Sequence, residues 1–196
     1  MPSASEPDSI PRRKVPCTAV VLIPPADRWE PIQAIRRVHD PRVGRWMPHV
    51  TLLYPFVPEL ALASAGGLLR PVCESCLPFT VMLAGFDSFA HGTRWATVWL
   101  RPEPAAPVVQ LQARLLECFP WCDDTSRHPG GFTPHLSVGR WLVRDAAAAQ
   151  EALQGCWTAL SWPVDRVFLI ARPEEDDAPF SVRFELPLGQ VPQVGA

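Results

Sequence analysis

Two histidines of this 196-residue chain lie in nearly the same local sequence. The first lies in residues 48–52, Pro-His-Val-Thr-Leu, and the second in residues 134–138, Pro-His-Leu-Ser-Val. Side chains alternate between the two faces of a β-strand, so each histidine shares a face with the hydroxyl residue two positions later. The sequence therefore contains a unit of one imidazole and one hydroxyl, and it contains this unit twice.

Paired imidazoles suit an in-line displacement at phosphorus. Because the pKa of histidine is near neutral, one neutral ring can take a proton from the nucleophile while a protonated ring gives one to the leaving oxygen. The hydroxyls of Thr51 and Ser137 would then hydrogen-bond the nonbridging oxygens. Arg140 follows Ser137 on the same predicted strand, and we expect it to share that face and add a guanidinium near the phosphate. This scheme requires neither a metal ion nor a cofactor.

The two motifs resemble those of the 2H phosphoesterase superfamily, which includes 2′-5′ RNA ligase-like proteins and cyclic phosphodiesterases. That family is defined by two His-x-Thr/Ser-apolar motifs, and the resemblance extends over Arg45–Phe56 and Phe132–Arg140. It covers the chain from about Cys17 to Leu188, with Ser137 in a place where threonine is commoner. The high proline and tryptophan content is similar to that of 2H domains in eukaryotic multidomain proteins, such as the leukocyte receptor cluster member.

The resemblance implies a metal-independent phosphodiesterase that opens a 2′,3′-cyclic phosphate on a nucleotide or RNA 3′ end. The expected product is a monoester, the 2′-phosphate. His135 is the expected base and His49 the expected acid, with the reverse assignment left open. One alternative is a 3′-5′ RNA exonuclease or a 2′-5′ oligoadenylate phosphodiesterase on the same scaffold. Another is a non-catalytic module that binds nucleotides or RNA ends, although such a module has no need of two proton carriers.

Aromatic side chains beside the motifs are candidates for stacking on a base. Most of the eight tryptophans are expected in the core. The candidate substrate-binding residues are Trp46, Tyr54, Phe56, Phe132, Trp141 and, in the loop before the second motif, His128. For His39 and His91 we expect structural roles, and Arg42, Arg45 and Arg127 are expected to be ordinary surface arginines.

Composition limits the classes of partner. With 19% charged residues and a net charge of −2, the chain does not indicate charge-driven binding along a long nucleic acid. No apolar stretch is long enough for a membrane span, and the first 16 residues lack the apolar centre of a signal peptide. We expect an intracellular monomer, cytoplasmic or nuclear. Two cysteine pairs, Cys73 with Cys76 and Cys118 with Cys122, lack the glycine-rich turns of a zinc site, so no metal is predicted.

Element patterns favour the α+β class. Residues 1–16 are expected to be a disordered tail or domain boundary, and residues 17–190 a single bilobal domain. The repeat of helix, loop, motif strand and helix predicts two lobes related by a pseudo-twofold axis, with antiparallel sheets and outer helices around a central cleft. The predicted strands are Cys17–Ile23, His49–Tyr54, Phe79–Phe86, Arg94–Leu100, the second motif, Val164–Ala171 and Phe180–Leu186. The predicted helices are Trp29–Val38 with Asp27 as N-cap, Glu59–Leu69, Ala106–Cys118 and Asp145–Gln154.

Overall fold

Eight strands form two antiparallel sheets in the computed structural model, which describes residues 10–127, 130–174 and 178–189. The strands are β1 Thr18–Leu22, β2 Val50–Leu53, β3 Phe79–His91, β4 Trp95–Glu103, β5 Leu136–Leu142, β6 Leu160–Val164, β7 Arg166–Ala171 and β8 Ser181–Pro187. The first sheet has the order β2-β1-β7-β8, and the second has the order β5-β4-β3-β6.

Four helices lie between the strands of the described ranges. They are α1 Trp29–His39, α2 Leu62–Glu74, α3 Ala105–Cys118 and α4 Val143–Cys156. None of them is both long and apolar enough to cross a membrane. The predicted α+β class with antiparallel sheets is confirmed.

The chain repeats a strand-helix-strand-helix unit, first as β1-α1-β2-α2 and then as β4-α3-β5-α4. In each unit the second strand is an edge strand and pairs antiparallel with the first. These edge strands, β2 and β5, follow the two histidines and contact each other. The predicted pseudo-twofold arrangement is therefore present, and it brings both motifs to the junction of the lobes.

One hydrophobic core serves both lobes. Leu22 and Leu53 of the first sheet belong to the same buried cluster as Leu100 and Leu136 of the second. The helix α2 adds buried residues such as Leu69 and packs against the first sheet. Burial of one leucine side chain contributes about 1.5–3 kcal/mol to stability. Separation of the lobes would expose several such side chains to water and would lose their contribution. The two sheets are therefore joined by one buried cluster.

Helix α1 connects the lobes, because it leaves the first sheet after β1 and packs against β5 of the second. The ring of His39 stacks on Trp141, with the ring centroids 4.3 Å apart. A Cβ on Gly139 would lie 2.5 Å from the Cβ of His39, so only glycine permits this close approach. His39 thus has the packing role that the sequence predicted.

Several element bounds differ from the prediction. Asp27 lies in a short 3-10 turn, and the N-cap of α1 is Arg28 without a side-chain cap, so the predicted Asp27 cap is wrong. β3 continues past Phe86 to His91, and the chain turns at residues 92–94. The sequence does not predict β6, because Pro163 interrupts its strand pattern. Pro163 has no backbone N–H, and it is tolerated because β6 is an edge strand of the second sheet.

The packed chain begins before the predicted boundary at Cys17. Val15 is buried, and its backbone pairs with Phe56. Lys14 forms an ion pair with Asp124. The predicted disordered tail is therefore wrong for its last residues, because Val15 fills space in the core. Residues 1–9 and Gln190 lie outside the described residues, as do His128 and three of the four acidic residues at positions 174–177.

Candidate active site

The two lobes enclose a cleft of about 1010 Å³ that both motifs line. His49 and Thr51 lie on one side, and His135 and Ser137 lie on the other. The period of two along each strand brings the histidine and the hydroxyl of each motif to the cleft face. All four predicted catalytic residues therefore share one cavity.

Each imidazole is fixed by a carbonyl two residues earlier in the chain. Nδ1 of His49 lies 2.7 Å from the Met47 carbonyl oxygen, and Nδ1 of His135 lies 2.9 Å from the Thr133 carbonyl oxygen. A carbonyl oxygen only accepts hydrogen bonds, so Nδ1 carries a proton in both rings. Nε2 is therefore the nitrogen that can exchange a proton with a substrate in each motif.

A β-bulge follows the hydroxyl residue in both motifs. Leu52 is the extra residue of β2, and Val138 is the extra residue of β5. Strict alternation would turn a residue three positions beyond the hydroxyl to the opposite face, but the extra residue restores it to the cleft face. Tyr54 and Arg140 stand at these equivalent positions, and both line the cleft. Arg140 thus faces the cleft as we expected, but the bulge and not alternation is the cause.

Aromatic rings surround His49. The Trp46 ring stacks on the imidazole with centroids 4.7 Å apart, and it stacks on Phe180 from 3.8 Å. Tyr54 meets the edge of the same indole, and its hydroxyl donates to the Pro16 carbonyl oxygen. Trp46 therefore holds His49 in place, and both of its faces have ring neighbours.

Arg36 of α1 is 2% exposed and organises the segment before the first motif. Its Nε donates to Asp40 at 2.9 Å, its Nη1 to Gln33 at 3.0 Å, and its Nη2 to the Trp46 carbonyl oxygen at 2.9 Å.

Burial of the imidazole is the main cause that lowers the pKa of His49 to about 4. The positive charges of Arg36 and His135 also lower this pKa, and Asp40 opposes them.

His135 has different neighbours, which come from the second sheet. Phe89 of β3 meets the imidazole edge-on with centroids 5.1 Å apart, and Trp99 of β4 lies 5.8 Å away. Phe89 and Trp99 stack on each other at 4.8 Å, so they form one aromatic wall beside the ring. The two halves of the site therefore share hydrogen-bond geometry but differ in the rings that surround the imidazole.

Two predicted substrate-binding residues are wrong. Phe56 is fully buried and packs against Phe119 in the core, because it lies beyond the end of β2 where the chain enters the interior. Trp141 packs on His39 outside the cleft, because it lies next to Arg140 and points to the other face. Trp46, Tyr54, Phe132 and Arg140 do line the cleft, while His128 lies outside the described residues.

Several cleft residues are missing from the prediction. For Arg36 a signal existed, since it follows the buried Ile32 by one helical turn and therefore lies on the inward stripe of α1. Trp95 and Thr97 alternate on β4, and Phe89 and His91 alternate on β3 beyond its predicted end. These four also line the cleft.

The cysteine pairs lie away from this cleft. Cys73 is buried near the end of α2, and Cys122 is buried after α3. Burial raises the pKa of Cys73 to about 12 and that of Cys122 to about 11, so both are protonated thiols at neutral pH. Within the described ranges, no three residues among His, Cys, Asp and Glu are grouped to hold a metal ion.

The sequence matches one protein family and several proteins that are named after a phosphoesterase activity. Residues 24–176 match the profile of the 2′-5′ RNA ligase superfamily. A protein of Bacillus pumilus named "putative phosphoesterase" is 28% identical over 128 residues, which cover 64% of this chain and 71% of that protein. The protein "putative phosphoesterase OB1230" of Oceanobacillus iheyensis is 27% identical over 127 residues, which cover 64% of this chain and 71% of that protein.

Solved structures share the fold. The chain aligns with E. coli LigT in its apo form with a TM-score of 0.56 and 21% identity, over 91% of this chain and 100% of LigT. The complex of LigT with 3′-AMP gives a TM-score of 0.55 over 89% and 98% of the two chains, at 21% identity. LigT is also known in complexes with phosphate and with ATP. This likeness confirms the bilobal fold that the motifs predicted.

Proposed function

Since the chain belongs to the 2′-5′ RNA ligase superfamily, we propose that it hydrolyses 2′,3′-cyclic phosphates of nucleotides or RNA 3′ ends without a metal ion. The observation that supports this proposal is that two imidazoles line one cleft. In each motif Nδ1 of the histidine donates to a carbonyl oxygen, and a hydroxyl residue two positions later also lines the cleft. One phosphorus held between the two imidazoles would have a proton acceptor on one side and a proton donor on the other. The nucleotide complexes of LigT support a nucleotide as ligand.

His49 is the base in this mechanism and His135 the acid. Nε2 of His49 takes a proton from water as the water oxygen attacks phosphorus. The bond from phosphorus to O3′ then breaks, and O3′ takes a proton from Nε2 of His135, which leaves a 2′-phosphate and a 3′-hydroxyl. The lowered pKa of His49 favours this assignment, because a base must be neutral in the free protein at neutral pH. The roles are opposite to those expected from the sequence.

The hydroxyls of Thr51 and Ser137 donate hydrogen bonds to the two nonbridging oxygens. These bonds strengthen as negative charge develops in the transition state, so the hydroxyls contribute to turnover as well as to binding. Arg140 supplies a positive charge at the His135 end of the cleft. Tyr54 and Phe132 line the remaining walls beside the substrate.

The decisive test is hydrolysis of 2′,3′-cyclic AMP in the presence of EDTA, with the product identified by chromatography. We expect 2′-AMP from the wild-type protein and none from His49→Asn or His135→Asn, with thermal midpoints close to wild type. His39→Asn is the matched control, since His39 packs on Trp141 outside the cleft and its loss should leave turnover intact.

Activity that appears only with a divalent ion would contradict the mechanism. A folded wild-type protein that binds the nucleotide without turnover would favour the binding module instead.

A further inference from the structure

The cleft extends beyond the catalytic residues toward the tip of the β3–β4 hairpin. Four residues line this extension, and we call them the hairpin shelf: His91, Trp95, Thr97 and Arg140. His91 is the cross-strand partner of Trp95, and Thr97 is the partner of Arg140. The shelf is therefore one continuous patch on three neighbouring strands.

Strand geometry gives the distance from the shelf to the chemistry. Ser137 is the cross-strand partner of Trp99, so Thr97 and Trp95 lie two and four residues further along β4. With a rise of about 3.4 Å per residue, the shelf lies roughly 7 to 14 Å from the level of Ser137. The whole cleft, at about 1010 Å³, is at the upper end of the roughly 300–1,000 Å³ typical of sites for one small molecule. The shelf therefore lines a part of the cleft that lies beyond the catalytic residues.

The shelf has the chemistry of a nucleotide-binding surface. The Arg140 guanidinium carbon lies 4.3 Å from the centroid of the Trp95 ring, a diagonal contact directed away from Ser137. Arg94 lies 5.3 Å from the same centroid. Nε2 of His91 lies 3.0 Å from the Thr97 hydroxyl, and both groups can hydrogen-bond a ribose hydroxyl. Bases of single-stranded RNA stack on aromatic rings and on guanidinium planes of this kind.

Charge provides an independent observation. Across residues 10–127, 130–174 and 178–189, neither Arg94 nor Arg140 has an ion-pair partner, whereas Arg36, Arg127 and Arg166 each have a carboxylate. In a chain of net charge −2, two such arginines beside one ring are a local positive site. A phosphate that links two nucleotides would neutralise them.

We infer that the hairpin shelf binds the nucleotide on the 5′ side of the one that carries the cyclic phosphate. Its base packs on the Trp95–Arg140 stack, and the linking phosphate lies between Arg94 and Arg140. The inference rests on the proposed function and narrows its substrate class: the preferred substrate is an oligonucleotide 3′ end, and a free cyclic mononucleotide fills only the catalytic part of the cleft.

The test compares kcat/KM for 2′,3′-cyclic AMP with kcat/KM for the dinucleotide ApA that ends in a 2′,3′-cyclic phosphate. We expect the dinucleotide to be at least about tenfold better, as one stacked base would give. Trp95→Ala should reduce the ratio to near one, whereas Trp95→Phe should keep most of it. Arg94→Gln should reduce the ratio and its dependence on salt. Trp29→Ala is the matched control, because Trp29 is another partly buried tryptophan and lies outside the cleft.

Each outcome separates the shelf from the reaction. Equal kcat/KM for the two substrates in the wild-type protein would overturn the shelf and leave the phosphodiesterase intact. If the ratio of the two kcat/KM values is unchanged in both Trp95→Ala and Arg94→Gln, the shelf is also overturned. Arg94 is exposed, so Arg94→Gln should fold and remains informative if Trp95→Ala does not fold. If neither substrate is cleaved, the proposed function fails, and the affinities for 3′-AMP and for ApA 3′-phosphate decide on the shelf. Equal affinities would refute it.

Discussion

His49 and His135 each donate a hydrogen bond from Nδ1 to a carbonyl oxygen, but their side-chain neighbours differ. The carbonyls of Met47 and Thr133 select the same tautomer in both rings. Burial and, to a smaller extent, the positive charge of Arg36 lower the pKa of His49, and the rings of Phe89 and Trp99 pack beside His135. The same motif thus gives an imidazole with a lowered pKa at His49, because of burial and of residues that lie outside the motif.

The hydroxyls distinguish turnover from binding. Thr51→Val and Ser137→Ala should each lower kcat by roughly one to two orders of magnitude, because each removes a charge-assisted bond of about 1.5–3 kcal/mol in the transition state. Thr51→Ser is the matched control, since it keeps the donor that position 137 already has. Steady-state kinetics on the cyclic nucleotide would measure this. A rise in KM with kcat unchanged would mean that the hydroxyls serve only as anchors.

Arg36 and Asp40 should move the pH profile in opposite directions. As the base, His49 must be neutral, so kcat/KM should fall as the pH drops through its pKa in the free protein. Arg36→Gln removes a positive charge and should move this acidic limb to higher pH, while Asp40→Asn removes a negative charge and should move it lower. Arg36→Lys keeps the charge and should change the limb least. Limbs that coincide in all variants would exclude His49 as the titrating base.

At the level of elements, the motifs predict the strands and helices around the site better than they predict the local geometry within those strands. The strands of both motifs, the four helices and the two lobes around one cleft follow from the repeated pattern. The bulges at Leu52 and Val138 do not, because a bulge depends on the register with a partner strand. Phe56 and Trp141 fail for this reason as well, since adjacency in sequence does not determine which face a residue takes after a bulge or a strand end.

The contact between α1 and β5 depends on a residue without a side chain. Gly139→Ala should lower the free energy of unfolding by about 1–3 kcal/mol, because its Cβ would meet both the side chain and the backbone of His39. Gly67→Ala is the matched control: nothing lies within 4 Å of its Cβ in α2, so it should be neutral or stabilising. Urea denaturation would compare the two. Equal stability of both variants would contradict the close packing of α1 on β5.

At the scale of the whole molecule, the site residues that the sequence does not predict are far from the motifs along the chain. Arg36, Phe89, Trp95 and the second motif come from four different elements, and only the packed core brings them to one cleft. A sequence shows which residues alternate on a strand, but it does not show which strand becomes its neighbour. The two motifs were visible because each is local, whereas the charge that acts on His49 comes from a helix that packs on the other lobe.

The lowered pKa of His49, which is due mainly to burial, has a consequence for the stability of the whole fold. In the unfolded chain His49 would titrate near its ordinary value of about 6.5, but in the fold its pKa is about 4. Between these values the unfolded state binds more protons, so the free energy of unfolding falls as the pH drops from about 6.5 to 4, by at most about 3 kcal/mol. The lowered pKa values of Asp123 and Asp165 act below this window, since the ordinary value for these groups is 3.8.

Thermal midpoints measured from pH 7 to pH 4 should therefore fall in the wild-type protein and fall less in His49→Asn. The reason is that asparagine takes up no proton in either state, so the linkage at this position disappears. His39 also has a pKa lowered by burial, so the double variant with His39→Asn should have the flattest profile. If wild type and His49→Asn lose stability in parallel across this range, the imidazole of His49 is not held neutral by the fold. The assignment of His49 as base would then lose its physical support, while the pairing of the two motifs across the cleft would stand.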